Sequence, residues 1–78
     1  MAAHDRIEIN PDIMLGKPVI RGTRITVELI LRDLAEGGTE QDILAAYPHL
    51  TAADIKAAIA YAAETVAEKR APRRQNRA

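Results

Sequence analysis

Seventy-eight residues make one small domain, near the lower end of what folds unaided, because so short a chain leaves much of its apolar surface uncovered. The chain lacks cysteine, serine, phenylalanine and tryptophan, which excludes a disulfide framework, a zinc–thiolate site and a serine or cysteine nucleophile. Eleven basic and eleven acidic residues balance, but unevenly: residues 1–68 hold all the acids and six cations, and Lys69, Arg70, Arg73, Arg74 and Arg77 give the last ten residues five cations and no acid.

An acidic body with a basic tail fits a tail that contacts polyanions or an acidic protein surface, or one that is simply solvated. The expected organisation is a disordered stretch at 1–5, one folded unit at 6–70 and a disordered basic tail at 71–78. Residues 1–6 contain no apolar signal-like run, and no segment approaches the roughly 20 apolar residues of a membrane span. We therefore expect a soluble, cytoplasmic protein without membrane contact.

Arg6-Ile7-Glu8-Ile9-Asn10 alternates polar and apolar residues, the pattern of a half-buried strand with Ile7 and Ile9 inward. Asn10-Pro11-Asp12 should end it in a turn, with Asp12 bonding amides further on. Ile13, Met14 and Leu15 then form a brief loop or single helical turn. A second strand is expected over residues 17–21, where Val19 and Ile20 are β-branched and Pro18 is tolerated near a strand end. An isolated hairpin is marginal in water, so this one must lie on the helices or pair with strands of a second copy through Ile7, Ile9, Val19 and Ile20. The second possibility argues for a homodimer.

Gly22 reads as a turn and Thr26 as the N-cap of a helix extending to about Glu36, with Val27, Ile30, Leu31, Leu34 and Ala35 on one apolar stripe. Gly37-Gly38 should stop it. Thr39 and Asp42 form a capping box for a short second helix carrying Ile43, Leu44 and Tyr47, closed by Pro48. Thr51 and Asp54 repeat the box for a third, from Ala52 to about Lys69, whose core stripe is Ile55, Ala58, Ile59, Ala62 and Val66. Ala53, Ala57, Ala60, Ala63 and Ala67 coat its other sides. The fold class is thus mainly α: a trihelical helix-turn-helix bundle preceded by a short β-hairpin.

Catalytic chemistry finds no foothold. His4 and His49 have no companion at a useful spacing, and the carboxylates are scattered over helix faces. Gly16-Lys17 and Gly22-Thr23 do not satisfy the phosphate-loop order G-x-x-x-x-G-K-[ST]. No metal, cofactor or catalytic residue is expected. Lys17, Arg21 and Arg24 do fall close together; with Lys17, Val19 and Arg21 on one side of a strand, they would contact an anion or a DNA backbone, or pair with Glu8, Asp12 or Glu28. At the start of the third helix, Thr51 and Lys56 can donate to bases, whereas Asp54 would repel phosphate, so base reading is poorly served. DNA affinity would then come from Lys17, Arg21, Arg24, Lys56 and the tail cations, and would fall steeply with salt.

The segment Gly16-Lys17-Pro18-Val19-Ile20-Arg21-Gly22-Thr23-Arg24-Ile25, with Leu34-Ala35-Glu36-Gly37, Tyr47-Pro48-His49-Leu50-Thr51 and Ala58-Ile59-Ala60-Tyr61-Ala62, resembles the small bacterial family called domain of unknown function 433. The resemblance covers about residues 7–64. It implies a homeodomain-like, trihelical helix-turn-helix fold and an antitoxin-like role, in which the protein binds and silences a PIN-like nuclease and, as a second role, represses a shared operon. It brings no catalytic residues, and the Arg-rich tail lies outside it. Two readings follow: a non-enzymatic module docking a nuclease through an alanine-lined helical surface or the tail, and a DNA-binding regulator.

Overall fold

A computed structural model describes residues 5–69. The expected disordered segments at 1–5 and 71–78 lie outside this range, Asp5 excepted. Strands β1 (Ile7–Glu8) and β2 (Val19–Ile20) form an antiparallel pair with Ile7 opposite Ile20 and Glu8 opposite Val19, and helices α1 (Val27–Ala35), α2 (Glu40–Ala46) and α3 (Ala52–Lys69) follow. The architecture is mainly helical, as expected.

The hairpin is shorter than the alternation suggests, and this corrects the placement of Ile9. The ladder ends at Glu8 because the chain turns at once: Asn10 Oδ1 accepts the Asp12 N–H at 2.8 Å and Asn10 O accepts the Ile13 N–H at 2.8 Å. Asn10, not Asp12, is thus the side chain that makes the turn. Ile7 is buried, while Ile9, one step past the ladder, is 58% exposed. The loop continues through a single 3-10 turn, Met14–Gly16, in which Met14 and Leu15 take φ of 49° and 59°.

The far edge of β2 is closed by the entry to α1. Ile20 N–H donates to Ile25 O and Val27 N–H to Pro18 O, both at 2.9 Å, and Val19 bridges Thr26. Between them, Thr23 N–H donates to Ile20 O at 2.9 Å across a turn whose third residue, Gly22, has φ +82°. That is the type II geometry, which glycine adopts without strain.

Each helix begins where its threonine predicts. Thr26 Oγ1 accepts the Leu29 N–H at 3.0 Å. Thr39 and Asp42 exchange side-chain and backbone bonds at 2.9 and 3.0 Å, and Thr51 and Asp54 do so at 3.0 and 3.2 Å. The end of α1 is a Schellman motif: Gly38 N–H donates to Asp33 O at 2.9 Å and Gly37 N–H to Leu34 O at 3.1 Å, with Gly37 at φ +99°.

The core sits where the hairpin and all three helices meet. Val19, Ile30, Ile43 and Ile55 are its largest fully buried side chains, joined by Ile7, Ile20, Val27, Leu50 and Ala58. Each such aliphatic contributes about 1.5–3 kcal/mol by burial, so losing one removes much of a small domain's stability. The hairpin lies on the helices, the first of the two possibilities open to it. Ile7, Val19 and Ile20 spend their side chains on this chain's own core.

The expected core stripe of α3 is corrected at three positions. Ile55 and Ala58 are buried, but Ile59 is 44% and Val66 67% exposed, while Ala57, placed on another side by the sequence, is buried. Ala57 and Ile59 flank Ala58 on opposite sides of the helix, and the buried face, which includes Asp54, leans toward Ala57, so Ile59 is turned out. For Val66 the reason is length. α3 has 18 residues and α1 has 9, spans of about 27 and 14 Å, so the apolar stripe runs on past its cover.

Candidate functional site

The overhang of α3 beyond its neighbour creates a groove. Pro18 and Val27 form its floor, Leu31 and Ala35 one wall, and Tyr61, Ala62 and Val66 the other, around a volume of about 500 Å³. Small side chains at Ala35 and Ala62 keep it open. Thr65, also in the wall, turns its hydroxyl to its own helix, donating to Tyr61 O at 2.9 Å, which leaves the surface almost wholly apolar.

Charge is confined to one rim. Glu28 accepts from Arg32 at 2.7 Å and from Lys17 at 3.2 Å. Hydrogen bonding from Arg32 foremost, then from Lys17, holds the Glu28 carboxyl below its ordinary range. Lys17 thus takes the ion-pairing alternative with Glu28.

Of the other predicted cations, Arg21 and Arg24 come together on the wall of one concavity, and Lys56 does not join them. The expectation that Lys17, Val19 and Arg21 share one side is overturned: Val19 is fully buried while Lys17 and Arg21 are exposed, because the regular strand is confined to two residues. Arg21 Nε donates to Asp5 O at 2.7 Å and its terminal nitrogen to Ile7 O at 3.2 Å. Arg6 O faces β2, accepting the Arg21 N–H at 2.7 Å, so the Asp5 and Ile7 carbonyls face the opposite edge. Arg21 therefore covers part of the edge through which a second hairpin would pair.

Arg24 and Lys56 are exposed, and their side chains make no hydrogen bond or ion pair with another described residue. Lys69 ends α3, and Arg70, Arg73, Arg74 and Arg77 lie outside the described residues. Asp54, expected to repel phosphate, is turned inward. It is 7% exposed, and its Oδ1 accepts from Arg6 at 3.0 Å.

Two partners were not read from the sequence. One is Arg6, whose contact depends on bringing residues 48 positions apart together. The other is His49, which lies beside Arg24 in a concavity of about 550 Å³ at the exposed end of the hairpin. No local pattern signals either.

Among the described residues no group of three His, Cys, Asp or Glu side chains could hold a metal. No helix there is long and apolar enough to cross a membrane.

Three comparisons bear on identity. A crystal structure of a DUF433 member protein from Anabaena variabilis ATCC 29413 superposes with a TM-score of 0.78 at 33% identity, covering 86% of this chain and 66% of that one. The uncharacterized protein y4eO of Sinorhizobium fredii (strain NBRC 101917 / NGR234) is 39% identical over 61 residues, 78% of this chain, which spans 28% of that protein's length. Residues 7–62 match the family described as protein of unknown function (DUF433). With the hairpin, three capped helices and the segment from Gly16 to Ile25 inside the matched region, the chain belongs to the DUF433 family.

Proposed function

We propose that this chain is a non-enzymatic docking module whose groove between α1 and α3 receives an apolar segment of a partner protein. The observation that carries this is the groove itself: an open apolar surface of about 500 Å³, in a domain too small to cover it. The resemblance to antitoxin-like proteins supports a PIN-like nuclease as the partner, silenced when its segment is seated. The reading suits a cytoplasmic protein without cysteine.

The test is inhibition of a purified PIN-like nuclease encoded beside this chain's gene, by the native chain and by Val66→Asp. Val66 is 67% exposed, so the variant should melt like the native chain. Inhibition should weaken at least tenfold, since one carboxylate buried against an apolar segment costs more than about 1.4 kcal/mol. Equal inhibition by the two would overturn the groove reading. A second copy is the competing occupant: a native dimer that Val66→Asp converts to monomers in sedimentation would assign the groove to self-association.

DNA binding is the second reading, favoured by exposed, unpartnered Arg24 and Lys56 and by the withdrawal of Asp54 onto Arg6. It predicts affinity that falls steeply with salt. Equal affinity for the chain's own upstream DNA and for random DNA would remove the repressor role.

A further inference from the structure

We propose that the concavity between the turn at residues 21–24 and His49 is a phosphate-binding site. Its wall is made by Arg21, Gly22, Thr23, Arg24, Ile25 and His49, and includes no carboxylate. That is unusual for this body, where acids outnumber cations by five over residues 5–68. The carboxylate bonded to the turn, that of Glu8, takes the Gly22 N–H at 3.5 Å and lies outside the wall, while Asp5 reaches Arg21 through its backbone carbonyl.

The turn is built before any ligand arrives. Thr23 Oγ1 donates to Ile20 O at 2.7 Å and accepts the Ile25 N–H at 3.0 Å, while Thr23 N–H closes the turn on Ile20 O at 2.9 Å. These bonds fix the backbone on both sides of Arg24. Arg21 is held by the Asp5 and Ile7 carbonyls and lends its charge.

Arg24 and His49 are the donors left over. Both are exposed, and neither makes a hydrogen bond or ion pair with another described residue. A guanidinium offers a fork of N–H donors matched to two phosphate oxygens, and an imidazole adds one N–H. Fixed backbone, unpaired donors and absent carboxylates together suit a phosphate group, free or within a nucleic-acid backbone. The inference does not depend on the groove reading, because it uses none of the groove's residues.

The test is a titration of the isotope-labelled full chain with inorganic phosphate and, separately, with a short mixed-sequence DNA duplex, following amide shifts. Phosphate should produce saturable shifts confined to residues 22–25 and 49. Arg24→Gln should weaken binding about tenfold or more, the effect of a lost charge-assisted hydrogen bond. His49→Gln should weaken it by less, and Lys56→Gln and Val66→Asp should leave it within twofold. Binding of phosphate with displacement by the duplex identifies a nucleic-acid backbone as the source; binding without displacement identifies a small phosphorylated ligand. Shifts spread over the surface without saturation, or equal losses in Arg24→Gln and Lys56→Gln, would overturn the site. The spectra report folding, and His49→Gln provides an independent variant should Arg24→Gln be unfolded.

Discussion

The Arg6 guanidinium lies 3.0 Å from Oδ1 of Asp54, tying the start of β1 to the first turn of α3. Asp54 Oδ2 at the same time accepts the Thr51 N–H at 3.0 Å. One carboxylate therefore caps a helix and fastens the hairpin to it. Asp54→Ala should cost about 2 kcal/mol, against about 1 kcal/mol for Asp42→Ala, whose capping box is exposed and lacks a cation. Urea melts of the two variants check this; equal losses would show that Arg6 adds nothing.

Gly37 has φ +99°, and a Cβ added there would meet nothing within 4 Å, so strain, not crowding, decides its substitutions. Gly37→Ala should destabilise by about 1 kcal/mol, and Gly37→Asn by less, because asparagine tolerates the left-handed region. At Gly38 a Cβ would meet Asp33 O at 2.9 Å, so Gly38→Ala should break the Schellman closure through contact instead. Thermal melts that rank Gly37→Asn below Gly37→Ala in stability would contradict the backbone argument.

Leu15 is 93% exposed at φ 59°. It buries almost nothing and occupies a region that costs an ordinary residue roughly 1 kcal/mol. Leu15→Asn should leave stability unchanged or raise it by up to about 1 kcal/mol, although it removes a large aliphatic. A clear loss in chemical denaturation would mean that the side chain is covered in solution.

Arg21→Ala should uncover the Asp5 and Ile7 carbonyls on the outer edge of β1. Exposed strand edges invite pairing with other chains, so the variant should self-associate more than the native chain at equal concentration. Sedimentation velocity reads this directly, and an unchanged distribution would rule out Arg21 as the edge's guard.

Glu28 is held below its ordinary pKa by Arg32 and Lys17 in the folded state. A lowered folded value stabilises at neutral pH, above the unfolded value, and the contribution disappears as pH falls through the lowered one. Partial exposure, with the Glu28 side chain 52% accessible, and screening keep it small. Glu28→Gln should therefore lower the melting temperature slightly at pH 7 and low salt, with the difference shrinking in acid and in high salt. A difference that grows in acid would reverse the assignment.

The sequence by itself determined the helix boundaries and the family. Thr26, Thr39 and Thr51 start the helices and Gly37 ends the first, because these signals act between residues three to five apart and need no distant partner. The segment from Gly16 to Ile25 carried the resemblance that the match over residues 7–62 bears out. Tertiary structure alone decided what depends on cover and on meeting. Ile9 and Val66 have the periodicity of core residues, yet lie outside because the ladder stops at Glu8 and α1 is half the length of α3. Lys17, Arg21 and Arg24 are neighbours in the chain that a strand ending and a turn separate: Lys17 goes to the groove rim, while Arg21, held on the sheet edge, and Arg24 share the concavity with His49. A residue's type fixes what it can bond, and only the assembled fold fixes what it finds there.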